Sequence, residues 1–151
     1  VAECAYYRAY KRAIRSLMGD ASFDGAWALP FLYAVSLEEP LLRARLNEGL
    51  ECPTLQLVFP SGIASLWDAG QSCCEHRYMT TDDELETFKD AKLVGIDRVY
   101  VEDETEYGDP HEQVFVKVET TKGTITCVTH NQHNGYYGGF DIRSTWEKRG
   151  G

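Results

Sequence analysis

The sequence of 151 residues predicts an α+β protein with a mostly antiparallel sheet of about six strands, a short acidic helix and an N-terminal helical arm. Three observations carry that expectation. Apolar residues recur at helical spacing near the N-terminus. The period changes to two from Thr54 onward. Helix and strand signals come in separate runs rather than in alternation, which argues against a parallel sheet. On this reading residues 1–50 form a helical arm or subdomain, and residues 51–151 form the α+β domain.

The first helix rests on Ala5, Tyr6, Ala9, Tyr10, Ala13, Ile14, Leu17 and Met18, with Arg8, Lys11, Arg12 and Arg15 on the other side and Gly19 as its stop. Its Ala/Tyr stripe suits packing on the sheet or self-association into a homo-oligomer. Residues 20–35 leave a short helix and a packed loop equally open, because Pro30 interrupts an apolar run. Ser36 and Glu39 then have capping-box spacing, which predicts a second helix through Leu41, Leu42 and Leu46 to Gly49. Leu55, Leu57 and Phe59 next alternate with polar positions, and Pro60-Ser61-Gly62 turns the chain into Ile63–Asp68, a hairpin. Thr81 and Glu84 form another capping box, opening a short acidic helix over Asp82–Asp90 with Leu85 and Phe88 inward.

A strand over Leu93–Glu102 follows. Val94 and Ile96 share a face that Val99 and Val101 continue one residue out of step, which predicts a bulge near Asp97-Arg98. Val114, Val116 and Val118 then point inward in a hairpin turning at Thr121-Lys122-Gly123, with Ile125 and Cys127 inward on its return strand. A last strand alternates through Phe140, Ile142 and Trp146.

Composition and charge restrict the function classes. With 43% hydrophobic and 26% charged residues, the chain has the makeup of a soluble globular protein. No apolar run approaches the roughly 20 residues of a membrane span, and no signal-like apolar segment opens the chain, so a cytoplasmic location is expected. The net charge of -9 argues against direct binding to nucleic acid. That charge is concentrated: Asp82–Glu112 holds 12 acids and 3 bases. Such a window reads first as solvated surface, and second as a mimic of nucleic acid aimed at a basic groove through Glu102, Asp103, Glu104 and Glu106. Five scattered cysteines are a poor disulfide framework and fit reduced thiols.

Two stretches stand out. One runs Asp68-Ala69-Gly70-Gln71-Ser72-Cys73-Cys74-Glu75-His76-Arg77-Tyr78-Met79-Thr80-Thr81-Asp82-Asp83, and the other runs His130-Asn131-Gln132-His133-Asn134-Gly135-Tyr136-Tyr137-Gly138-Gly139-Phe140. Over about Thr54–Arg143 the chain resembles a small domain family of unknown function, common in tailed phages and other mobile genetic elements. The resemblance implies a phage or prophage origin and action on a bacterial host system. It also makes the motif residues the site candidates, and it carries no established chemistry.

The residue types allow several chemistries. Cys73, Cys74, His76, His130 and His133 are acceptable zinc ligands, although His130 and His133 converge only if the chain turns between them. A cysteine of the first stretch with a histidine of the second has the makings of a thiol nucleophile. Ligand binding draws on Arg77, Tyr78, His130, Asn131, His133, Asn134, Tyr136, Tyr137 and Arg143, which offer flat rings, amide and imidazole hydrogen bonds and anion contacts. A rigid structural loop is the plain alternative. The sequence therefore predicts a non-catalytic accessory protein in the cytoplasm of an infected or lysogenic bacterium. It would bind a host protein or a small nucleotide-like ligand, plausibly in counter-defence, with no required cofactor. A zinc- or thiol-dependent hydrolase using the same clusters is the alternative.

Overall fold

The structure, a computed structural model, describes residues 26–48, 52–70, 75–104, 110–135 and 138–149. Among the described residues eight strands form two four-stranded antiparallel sheets. The strands are β1 (Arg43–Asn47), β2 (Thr54–Val58), β3 (Gly62–Asp68), β4 (Glu75–Thr80), β5 (Leu93–Glu104), β6 (Pro110–Thr120), β7 (Gly123–His133) and β8 (Ile142–Lys148). The first sheet has the order β1-β2-β3-β8 and the second β4-β7-β6-β5. A nine-residue α-helix, α1 (Leu29–Leu37), packs against β5 of one sheet and β3 and β8 of the other. The described residues are thus mostly β, which corrects the predicted α+β class of about six strands, and β1 stands where the second helix of the predicted arm was expected.

The two sheets share one core. Leu55, Leu57, Ala64 and Leu66 face it from the first sheet, and Met79, Val114, Val116, Val118, Ile125 and Cys127 from the second. Phe31 and Ala34 of α1 enter the same cluster, as do Leu41 and Phe59. Burial of this continuous apolar area drives the two sheets together, since each sheet has only one apolar face.

Neither capping box opens the predicted helix. Ser36 lies inside α1, where its hydroxyl donates back to the Tyr33 carbonyl at 2.6 Å, and Glu38 ends the helix in a left-handed conformation. Glu39 instead accepts from the Ser61 hydroxyl, and the chain runs extended into β1. Leu46, read as part of a helix stripe, pairs across the ladder with Leu55, as Ala44 does with Leu57. At the other box, the Thr81 hydroxyl donates to the Thr126 carbonyl at 2.7 Å, and Asp83 accepts the Thr126 amide at 2.7 Å. The acidic helix is therefore only a 3₁₀ turn, Leu85–Phe88, whose three-residue period still buries Leu85 and Phe88 together. The first predicted helix, Ala5–Met18, lies outside the described residues.

The predicted hairpins are present: β2 pairs with β3, and β6 with β7. The β5 bulge falls between Leu93 and Gly95, not near Asp97-Arg98. Its position decides which face each later residue takes. Ile96, Arg98 and Tyr100 lie opposite the inward valines Val118, Val116 and Val114, while Val99 and Val101 stand exposed on the other side.

Candidate functional site

Both motif stretches meet at one end of the molecule. β4 pairs with β7 from Glu75↔His133 to Thr80↔Val128, so the first motif lies directly beside the second. Residues of both stretches then divide between the two faces of the second sheet, because successive strand side chains point to opposite sides. β7 stays extended through His133, so His130 and His133, three residues apart, point to opposite faces and do not share one zinc site.

The inner face carries a polar continuation of the core. Its first part centres on Arg77. The guanidinium makes two bonds to Glu75, Nη2 to Oε2 at 2.7 Å and Nε to Oε1 at 3.3 Å, and one of 2.7 Å from Nη1 to Asp68. Burial alone would lower the Arg77 pKa, but these two carboxylates outweigh it and raise the value. Asp68 also accepts the Gly70 and Asp141 amides at 3.0 and 2.9 Å, and Glu75 accepts the Asn131 amide at 2.7 Å. The network therefore ties β3, β4 and β7 to the start of β8.

The second part centres on Glu112 of β6. Its carboxylate accepts the Tyr100 hydroxyl, the Gly139 amide at 3.0 Å and the His133 ring at 2.5 Å. His133 Nδ1 accepts the Gly135 amide at 3.0 Å, so the ring proton sits on Nε2 and points at Glu112. Burial would push the Glu112 pKa up, yet donation from Tyr100, Gly139 and His133 wins and holds it below the ordinary carboxylate value. Asn131 also donates to the Gly139 carbonyl at 3.2 Å. The glycines of the motif follow from this packing. A Cβ on Gly138 would stand 2.5 Å from Glu112 Oε1, and Gly139 has a φ of +77°, which side chains disfavour.

The outer face of the same strands is a row of rings. Tyr78 and His130 stack at 4.3 Å with 6° between their planes, His76 lies 4.8 Å from Tyr78, and His111 stacks on His130 at 5.2 Å. Polar contacts hold the row in place: His111 Nε2 to His130 Nδ1 at 3.0 Å, Thr80 to His130 Nε2 at 2.8 Å, and Gln132 to the Tyr78 hydroxyl at 2.8 Å. Burial, and then the neighbouring His111, lower the His130 pKa.

The remaining candidates lie elsewhere. Arg143 projects from the outer face of the first sheet, 62% exposed, in an ion pair with Asp141 at 2.8 Å. Asn134 is exposed just past β7. Cys73, Cys74, Tyr136 and Tyr137 lie outside the described residues. Sequence reasoning missed Glu112, Tyr100 and His111. Glu112 had a readable signal, since it stands in phase with the inward Val114, Val116 and Val118.

The acidic window does not form one surface. Asp82–Asp90 sits at the far end of the second sheet, whereas Glu102–Glu104 of β5 reaches the motif end, about 30 Å of strand away. Glu112 is buried and Asp83 is occupied by the Thr126 amide.

Comparison with known families decides the affiliation. A family described as a domain of unknown function (DUF7448) matches residues 54–142, more than half of the chain. The chain belongs to the DUF7448 family. The match runs from the first residue of β2 to the first residue of β8 and takes in both parts of the inner network. No curated protein and no solved structure matches the chain. Among the described residues no helix is long and apolar enough to cross a membrane.

Proposed function

We propose that this protein is a non-catalytic binding module, a phage-type accessory protein that recognises a bacterial host protein through the outer face of β4, β7 and β6. The observation that carries the reading is the division of polar groups between the two faces. On the inner face, both oxygens of Glu112 are engaged with Tyr100, His133 and the Gly139 amide, both ring nitrogens of His133 with Glu112 and the Gly135 amide, and three nitrogens of Arg77 with Glu75 and Asp68. They act as a frame, and neither a spare base nor an uncommitted cation remains in that set. The outer row of His76, Tyr78, His130 and His111 is instead presented on a sheet.

A sheet face of rings and amides favours a protein partner over a small ligand, since small-molecule sites are concave. The committed Arg77 also weakens the nucleotide version. Counter-defence is the role a phage-type binder of this kind would serve.

The test compares three tagged chains on host extract: wild type, Tyr78→Ala/His130→Ala and Arg143→Ala. A defined host protein captured by wild type and Arg143→Ala, and lost from the folded double variant, is the expected result. Undiminished capture by the double variant, with circular dichroism unchanged, would overturn the reading, as would turnover of a substrate dependent on His133.

A further inference from the structure

We infer that the seam between β5 and β8 is a binding site for a small single-ring aromatic carboxylate. A cavity of about 280 Å3 lies there, lined by Arg98 and Tyr100 of β5, Val114 of β6, Ile142 of β8 and Phe140 just before it. Val114 and Ile142, 4% and 7% exposed, make an apolar floor from opposite sheets. Phe140 and Tyr100 meet edge to face at 6.3 Å and supply aromatic walls.

The cation is what gives the cavity a ligand chemistry. Arg98 stands on the same side of β5 as Ile96 and Tyr100, opposite Val116, and is exposed at the rim of the cavity. Among the described residues it makes no ion pair. Its guanidinium instead lies over the Trp27 ring, 4.6 Å from the centroid. A guanidinium held over a ring by its face keeps its in-plane N–H donors for a carboxylate, which it receives through two parallel bonds. The ring of the ligand would then lie against Phe140 and Tyr100, above Val114 and Ile142. The volume lies just below the roughly 300–1,000 Å3 of sites for drug-sized ligands, which limits the occupant to about one ring. This site shares no residue with the outer-face row and stands whether or not that row binds a protein.

The probe is benzoate, with benzamide as its uncharged counterpart, titrated into the full chain and followed by calorimetry and by the methyl resonances of Val114 and Ile142. Benzoate is expected to bind and shift those two methyls. Arg98→Gln should weaken it at least about tenfold, and benzamide should bind no better than benzoate does to that variant. Arg98→Gln lies on the surface side of the cavity and is checked for folding by circular dichroism; Arg98→Lys, which keeps the charge without the planar fork, should fall between. Absence of benzoate binding, equal binding of benzamide, an affinity unchanged in Arg98→Gln, or shifts confined to other methyls would each overturn the site.

Discussion

At the scale of single residues, the constraint on the second motif is geometric. Gly138 has Glu112 and His133 where a side chain would begin, so Gly138→Ala should cost about 1–3 kcal/mol, measured by urea unfolding. Glu112 holds three donors at once. Replacing it by Gln removes a charged acceptor and leaves donors unpaired, an expected loss of about 2–4 kcal/mol. The pH dependence has a definite sign. The folded Glu112 pKa lies below its ordinary 4.5, so the folded state binds that proton less readily than the unfolded chain. The resulting stabilisation is present above about pH 4.5 and is lost as pH falls through the depressed value. Glu112→Gln should flatten that part of an acid unfolding curve, and an unaltered curve would contradict the assignment. Cys127 offers a separate check. Burial, and then Asp83, push its thiol up to about 12, so it should stay unlabelled by thiol reagents until the protein unfolds.

At the scale of elements, β4 and β7 do the decisive work, because each strand serves two tasks on its two faces. His130 on the outer side titrates in the opposite sense to an ion-paired histidine. Its pKa is lowered from 6.5 by burial and by His111, so the neutral form is favoured in the fold. Stability is then greatest above about pH 6.5 and declines as pH falls through the lower folded value. Protonation would also set a charge against His111 across their 3.0 Å contact. If this row carries the proposed recognition, capture should weaken as pH falls through the lowered His130 value, and a flat binding profile between about pH 5 and 8 would separate recognition from this row. The sequence hid β4 for a physical reason. It lies where the core turns polar, so Glu75 and Arg77 take inward positions that alternation analysis reserves for apolar residues. β1 was hidden by its shortness, because Ala44 and Leu46 are too few to distinguish a period of two from a helix stripe.

At the scale of the whole molecule, the family-matched segment and the folding unit differ. Residues 54–142 omit α1, β1 and nearly all of β8. Those parts bring Phe31, Ala34, Leu41 and Ala44 into the shared core and set Trp146 against Phe59 and Tyr33, at 5.9 and 5.1 Å. A fragment of residues 54–142 should lack a cooperative unfolding transition, whereas the full chain shows one; a folded fragment would mean that the second sheet suffices alone. The first sheet would lose an edge strand on each side, which exposes both apolar area and unpaired backbone.

What the sequence determined by itself is what local periodicity encodes. The β2–β3 and β6–β7 hairpins, the inward valines of β6, the inward Leu85 and Phe88, and membership of a domain family of unknown function were all readable from residue order. Tertiary structure alone decided the rest. Whether Ser36 opens a helix or lies in the last turn of one depends on whether Glu39 finds Ser61, twenty-two residues further along. Whether Arg77 is a ligand contact or a structural tie depends on Asp68 and Glu75 arriving beside it, and His133 becomes a strut only because Glu112 stands on the neighbouring strand. Each is a contest between local hydrogen bonding and long-range pairing. In each, the partner that removes a charged or polar group from water within the fold prevails, and no local pattern contains that partner.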